Sequence, residues 1–138
     1  MKGSLLYILQ NCQTAFEELR RLNEELAFAL KPDVKVENIN RIGALHRMTQ
    51  DYLIVRVAGL FDNDRRTASF QNLCPTDKEF LAIKEEAIIK YFIEFRHNFS
   101  AHLNLVRMQN DQNPETLKIL SSNIVDILQK LVQLANTY

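Results

Sequence analysis

The residues best suited to chemistry are Arg96 and His102, two polar side chains in the most apolar helical stretch of the chain. A histidine titrates near neutrality and can move a proton to or from a ribose 2′-hydroxyl or a leaving oxygen. An arginine holds a phosphate through two parallel hydrogen bonds and stabilises the charge that develops in the transition state. Together these side chains could cleave an RNA phosphodiester without a metal ion.

The spacing of the two residues limits how they can meet. Counting by sevens places them in two helical rows whose other members are apolar. On an ideal helix they lie roughly 120° apart around the axis and about 9 Å apart along it, on either side of Phe92 and Phe99. One helix therefore does not bring both groups onto one small target without long side-chain reach or a distorted last turn. A two-fold dimer that packs this helix against its symmetry mate would cover the stripe and bring two Arg–His pairs into one groove.

Neighbouring polar residues admit two interpretations each. Asn98 precedes His102 by one helical turn, so it could orient the imidazole or cap the helix end. His97 lies on a more polar side, where a solvated side chain is the simpler interpretation. Non-catalytic interpretations also stay open for the main pair: His102 as a core-edge imidazole bonded to a backbone carbonyl, and Arg96 with its stem on apolar surface and its head on Glu94 or solvent.

Other familiar sites are missing from the sequence. It has no glycine-rich phosphate loop, nucleophile elbow, paired zinc-binding histidines or calcium loop. Cys12 and Cys74 match no metal-ligand spacing and are interpreted as reduced thiols, with Cys12 as a small core residue. We therefore expect no cofactor and no metal.

The motif segment resembles the HEPN (higher eukaryotes and prokaryotes nucleotide-binding) superfamily. The resemblance lies in Arg96, the polar residue His97 after it, and His102 after five intervening residues, near the end of a helix. Residues 60–70 also resemble the HEPN-like proteins of abortive phage infection, in which a comparable turn and short helix precede the motif helix. The resemblance covers most of the chain in layout and a short part of it in recognisable sequence.

The resemblance implies a dimeric, metal-independent endoribonuclease that acts as a toxin or antiviral effector. Arg96 and His102 would be catalytic, with His97 and Asn98 as auxiliary residues. Some such relatives are inactive binding modules, so the alternative is a catalytically inactive HEPN-like helical interaction module. The implied partners are RNA, a second copy of the chain in a homodimer, and an antitoxin, which would be a separate protein because this chain has no nucleotidyltransferase motif.

Length and charge bound the remaining possibilities. A chain of 138 residues predicts a single domain, residues 1–138. Its 17 basic and 17 acidic residues cancel, so any binding to nucleic acid must be local. No apolar stretch is long enough for a membrane span, and no cleavage site follows the start of the chain, so we expect a cytoplasmic protein without membrane contact.

Apolar periodicity predicts the helices that must position the motif. We expect long helices over about residues 5–30 and 34–61, a short one over 67–73, a long one from Thr76, and a last one from Pro114. Thr76 and Glu79 form an expected capping box, and the turn 62–66 is interpreted as self-neutralising in preference to an RNA-contacting patch. The predicted fold is an all-α, up-and-down bundle of four long helices plus one short helix.

The predicted inward stripes follow from the same periodicity. That of the first helix is Leu5, Leu9, Cys12, Phe16, Leu19, Leu22 and Leu26. That of the second helix is Ile39, Ile42, Leu45, Met48, Tyr52, Val55 and Leu60. That of the last is Leu117, Leu120, Ile124, Ile127, Leu131 and Leu134.

Overall fold

The computed structural model describes residues 1–29, 36–101 and 114–138, and these residues form seven α-helices and no strand. The predicted all-α class is therefore confirmed. In chain order the helices are α1 (Lys2–Ala29), α2 (Val36–Gly59), α3 (Phe70–Leu73), α4 (Lys78–Lys84), α5 (Ala87–Ala101), α6 (Pro114–Leu120) and α7 (Ile124–Thr137). None of them combines the length and the apolar character that a membrane crossing requires.

The core forms around α1 and α2, which pack most extensively on each other. Helix α7 covers α1 from another side, and α5 packs on α2. The predicted stripe of α1 is buried from Leu5 to Leu22, so the periodicity of this helix identified its inward face. Helix α5, which carries Arg96, is fixed to this core by Ile88, Ile89 and Phe92.

The inward face of α2 differs from the predicted stripe. Leu45, Met48 and Tyr52 were expected inside, but they are 44%, 66% and 40% exposed. The second half of the helix decides its rotation, because Leu53 and Val57 are fully buried there. Extending that face back by steps of three and four residues turns Gln50 and His46 inward in place of the predicted apolar side chains.

A small cluster of hydrogen-bonded side chains satisfies the polar groups that this rotation buries. His46, Gln50 and Thr116 are at most 2% exposed, so their polar atoms need partners inside the protein. The Thr116 hydroxyl donates to Oε1 of Gln50 over 2.5 Å, and its oxygen lies 3.4 Å from Nε2 of His46. The cluster therefore ties α2 to α6 through hydrogen bonds in an otherwise apolar region.

The buried imidazole should make stability depend on pH. Burial lowers the pKa of His46 from its usual 6.5, and Arg47 lowers it further. The unfolded chain then binds the proton more readily, so stability present above about pH 6.5 is lost as the pH falls toward the lower folded pKa. We expect wild type to lose more unfolding free energy between pH 7.5 and 5.5 than His46→Gln in urea denaturation.

A matched variant separates this effect from general titration. His97 is exposed, so His97→Gln should keep the pH dependence of wild type. Carboxylates with a lowered pKa, such as Asp64 and Asp77, titrate below this pH window. The same pH dependence in wild type and His46→Gln would show that the buried imidazole is not responsible.

The helix predicted from Thr76 begins two residues later, at Lys78, and is interrupted. Pro75 and Thr76 lie inside a turn that the Asp77 N–H closes on the Cys74 carbonyl, so Asp77 becomes the cap. Its carboxylate accepts from the backbone N–H of Glu79 and of Phe80, which replaces the expected Thr76–Glu79 capping box. The helix is then interrupted at residues 85–86, which separate α4 from α5.

The last predicted helix is also divided. It starts at Pro114 as expected, but residues 121–123 separate α6 from α7. The break resets the helical phase, and consequently Leu117 is 68% exposed whereas Ile119 is buried in its place. In α7 the predicted seam is correct, since Ile124, Ile127, Leu131 and Leu134 are buried.

Candidate active site

The described part of the predicted site is centred on Arg96 in α5. Its Nη2 donates to Oδ2 of Asp62 over 3.1 Å, a contact across 34 residues of sequence. Neither of the partners considered from sequence, Glu94 or solvent alone, holds this guanidinium. The Arg96 side chain is still 36% exposed, so it is held by Asp62 and is also accessible to a ligand. His102 lies outside the described residues, as does the side chain of Phe99.

Asp62 is itself fixed by the turn that follows α2. Its Oδ1 accepts the backbone N–H of Asp64 over 2.9 Å, while its own carbonyl accepts the Ser69 hydroxyl over 2.7 Å. The Asn72 amide donates to the carbonyls of Asp64 and Thr67 over 2.7 and 2.8 Å. Short polar side chains that bond nearby backbone favour such turns. The turn therefore holds the Asp62 carboxylate in place independently of its contact with Arg96.

The charges of this turn are only partly self-neutralising. Arg66 donates to both carboxylate oxygens of Asp64, and this hydrogen bonding lowers the pKa of Asp64. That pair agrees with the expected surface turn. Asp62 does not join it, because its free oxygen is directed to Arg96 on another helix.

Gly59, the last residue of α2, lies beneath the guanidinium. A Cβ built at this position would lie 3.8 Å from Nη1 of Arg96, an ordinary contact distance. Alanine would therefore fit there without displacing Arg96.

Arg96 opens onto a cleft of about 530 Å³ between the end of α2, the turn after it, α4 and α5. Lys84 and His97 line the same cleft, so three side chains that carry or can carry positive charge meet there. Asn63 adds an amide and Ile93 an apolar wall. The volume lies within the range of roughly 300–1,000 Å³ that is typical of small-molecule sites.

The structure thus brings together two of the four residues predicted for the site. Arg96 and His97 share the cleft, and His97 is exposed as its polar side of the helix suggested. Asn98 is exposed on the same helix, where the two interpretations of its role depend on His102. Lys84 lies in no motif and interrupts no apolar row, so no sequence pattern marks it. Asn63 belongs to the turn 62–66, which was predicted as a surface turn and not as part of the site.

The expected dimer stripe on α5 needs correction. Phe92 was placed at a subunit interface, but it is fully buried within its own chain and belongs to the core. Helical periodicity marks an apolar face without telling which surface covers it. Of the residues near this face, Ile93 is 36% exposed and remains at the surface beside the cleft.

The cysteines do not contribute to the site. Both are free and buried, and burial raises the pKa of Cys12 to about 12 and that of Cys74 to about 11. These thiols are therefore protonated at neutral pH and poor nucleophiles. Within residues 1–29, 36–101 and 114–138, no group of three His, Cys, Asp or Glu side chains is placed to hold a metal ion.

No protein-family model matches the chain, and no curated protein or solved structure matches it either. The fold and the cleft therefore have to be interpreted from their own residues.

Proposed function

We propose that this protein is a metal-independent endoribonuclease of the HEPN type, with Arg96 and His102 forming a composite site at a homodimer interface. Arg96 binds the scissile phosphate, His102 transfers the proton, and His97 and Asn98 are auxiliary. In this proposal the protein is a cytoplasmic toxin or antiviral effector of abortive infection, restrained by a separate antitoxin.

The seven helices form an up-and-down bundle of four long elements, two of them interrupted, plus the short α3.

The observation that carries this proposal is the state of the Arg96 guanidinium. A guanidinium has five N–H donors, and Asp62 accepts from Nη2 through a single contact. The remaining donors are available to a phosphate in the cleft, where Lys84 adds positive charge. A phosphodiester entering this cleft would meet a positioned arginine, which is the arrangement that stabilises charge in phosphoryl transfer.

A second function is supported by the exposed apolar face of α2. Leu45, Met48 and Tyr52 are spaced by three and four residues and border a groove of about 480 Å³ against α1. Single exposed apolar residues are common, but a contiguous row often marks an interaction surface. This face supports the alternative of a non-catalytic helical interaction module.

RNA cleavage distinguishes the two functions. The purified protein should cut single-stranded RNA in excess EDTA and leave 2′,3′-cyclic phosphate ends. His102→Ala should cut at least about 100-fold more slowly, because a positioned general acid or base typically contributes that much. Overexpression should slow cell growth, and the alanine variant should relieve it. Equal cleavage by wild type and His102→Ala would contradict the nuclease.

The interaction module makes the opposite prediction. Met48→Glu should then abolish partner binding, because it puts a charge into the exposed row, while His102→Ala keeps it. The matched control is Gln129→Glu, which adds the same charge at an exposed position of α7. Partner binding that survives Met48→Glu would count against this alternative.

A further inference from the structure

Lys84 lines the cleft, and its amine is held by an uncharged partner. Its Nζ donates to Oε1 of Gln71, an uncharged amide, over 3.1 Å. Lys90 and Lys130, in contrast, pair with the carboxylates of Glu85 and Asp126 over 2.6 and 3.3 Å. Two of the three donors of the Lys84 ammonium are therefore available to a ligand, while the neighbouring Glu85 carboxylate, which pairs with Lys90, offsets only part of its charge.

The position of Lys84 makes this charge relevant to the cleft. It is the last residue of α4, directly before the break that leads into α5, and it lines the cleft together with Arg96. Glu85, the next residue, directs its carboxylate to Lys90. The cleft carboxylate, that of Asp62, is engaged by Arg96 and by the N–H of Asp64.

The two cations are anchored by different elements. Arg96 of α5 is held by the turn after α2, and Lys84 of α4 is held by Gln71 of α3. Each can therefore bind an anion independently of the other. A single phosphate group occupies only a small part of a cleft of about 530 Å³, and Ile93 supplies an apolar part of its lining.

We infer that Lys84 binds a second phosphate of the RNA, the one next to the phosphate held by Arg96, with the intervening nucleoside against Ile93. This inference rests on the proposed function for the identity of the ligand. It assigns the substrate as a single strand with two consecutive phosphates in the cleft, because a nucleotide can spread into such a cleft only when it is not held in a duplex. Lysine suits the second position, since it binds phosphate as a point charge.

The test uses two deoxydinucleotides that the protein cannot cleave because they lack the 2′-hydroxyl. One is thymidylyl-thymidine, with a single phosphate, and the other is the same compound with an added 5′-phosphate. Nuclear magnetic resonance titration gives Kd for each. We expect wild type to bind the two-phosphate compound roughly tenfold more tightly, in line with one added charge-assisted contact.

Lys84→Gln should abolish that tenfold preference and leave the affinity for the one-phosphate compound within about twofold of wild type. Lys130→Gln, which removes an exposed lysine from α7, should keep the preference. The inference is overturned if wild type binds both compounds equally, if it binds neither, or if Lys84→Gln and Lys130→Gln behave alike.

These outcomes are independent of cleavage. A wild-type preference that depends on Lys84 supports the second phosphate site even if the protein cuts no RNA. Cleavage that depends on His102 but is accompanied by no such preference leaves the nuclease in place and removes only the Lys84 site.

Discussion

Replacing Arg96 with alanine should lower kcat for RNA cleavage about 10²–10³-fold, the usual loss when one donor to a developing oxyanion is removed. The guanidinium is held at the cleft by Asp62 and keeps donors for the phosphate. Arg96→Lys should recover only part of the rate, because an ammonium cannot hold the carboxylate and bind the phosphate in the planar, two-point manner of arginine. Single-turnover cleavage with saturating enzyme measures both variants.

The matched control for this prediction is Arg20→Ala. Arg20 is an exposed arginine on α1 that pairs with Glu17, so its removal changes net charge equally without touching the cleft. Thermal unfolding should be nearly unchanged in all three variants, since partly exposed ion pairs contribute little to stability. If Arg96→Ala cleaved RNA as fast as Arg20→Ala, Arg96 would be a structural residue only.

Phe92→Ala should cost about 3–5 kcal/mol of unfolding free energy, the range for removing a buried aromatic ring. Phe92 is fully buried where α5 packs on the core. Because the interior is close-packed, the neighbouring side chains fill only part of the cavity that the removed ring leaves. Such a loss is a large part of the roughly 5–15 kcal/mol that stabilises a typical domain. Urea denaturation at constant protein concentration measures it.

The adjacent residue offers the control. Ile93 is 36% exposed, so Ile93→Ala should cost clearly less than Phe92→Ala. The contrast also decides where Phe92 belongs. A Phe92→Ala variant with wild-type stability that dissociates into monomers would place the ring at a subunit interface and contradict its burial within one chain.

The inward face of a helix could be predicted where the helix has a single apolar row. In α1 a single apolar row runs from Leu5 to Leu22 without competition, and the structure buries it. In α2 two apolar faces compete, and the sequence pattern favoured that of Leu45 and Met48. The tight packing of Leu53 and Val57 decides the rotation, a tertiary effect that periodicity of one helix cannot express.

The starts and interruptions of the helices could be predicted only in part, because they depend on the conformation of the neighbouring turns. The Asp77 cap differs from the predicted Thr76 because the preceding Pro75 sets up a turn that uses Thr76. Both residues are good caps, and the choice depends on which one the turn leaves in extended geometry. The break at 85–86 consists of two glutamates and carries no strong sequence signal, whereas the break at 121–123 is Ser-Ser-Asn, short polar residues that favour turns.

The sequence predicted candidate residues for the site, which stay predictions, but not the contacts that the structure gives Arg96. Arg96 was identified because a polar residue interrupted an apolar row, and residues 60–70 were identified by resemblance. That Asp62 in this stretch holds Arg96 depends on how α2 and α5 pack, which lies beyond any local pattern. Lys84 acquires a role only when the cleft is assembled.

The most direct test of the composite site mixes two inactive variants, Arg96→Ala and His102→Ala, after unfolding and refolding them together. In a two-fold dimer whose site takes the arginine from one subunit and the histidine from the other, half of the dimers are mixed and each of these has one intact site, so the mixture should regain roughly a quarter of wild-type cleavage. A mixture as inactive as either variant alone would show that Arg96 and His102 do not share a site across the interface.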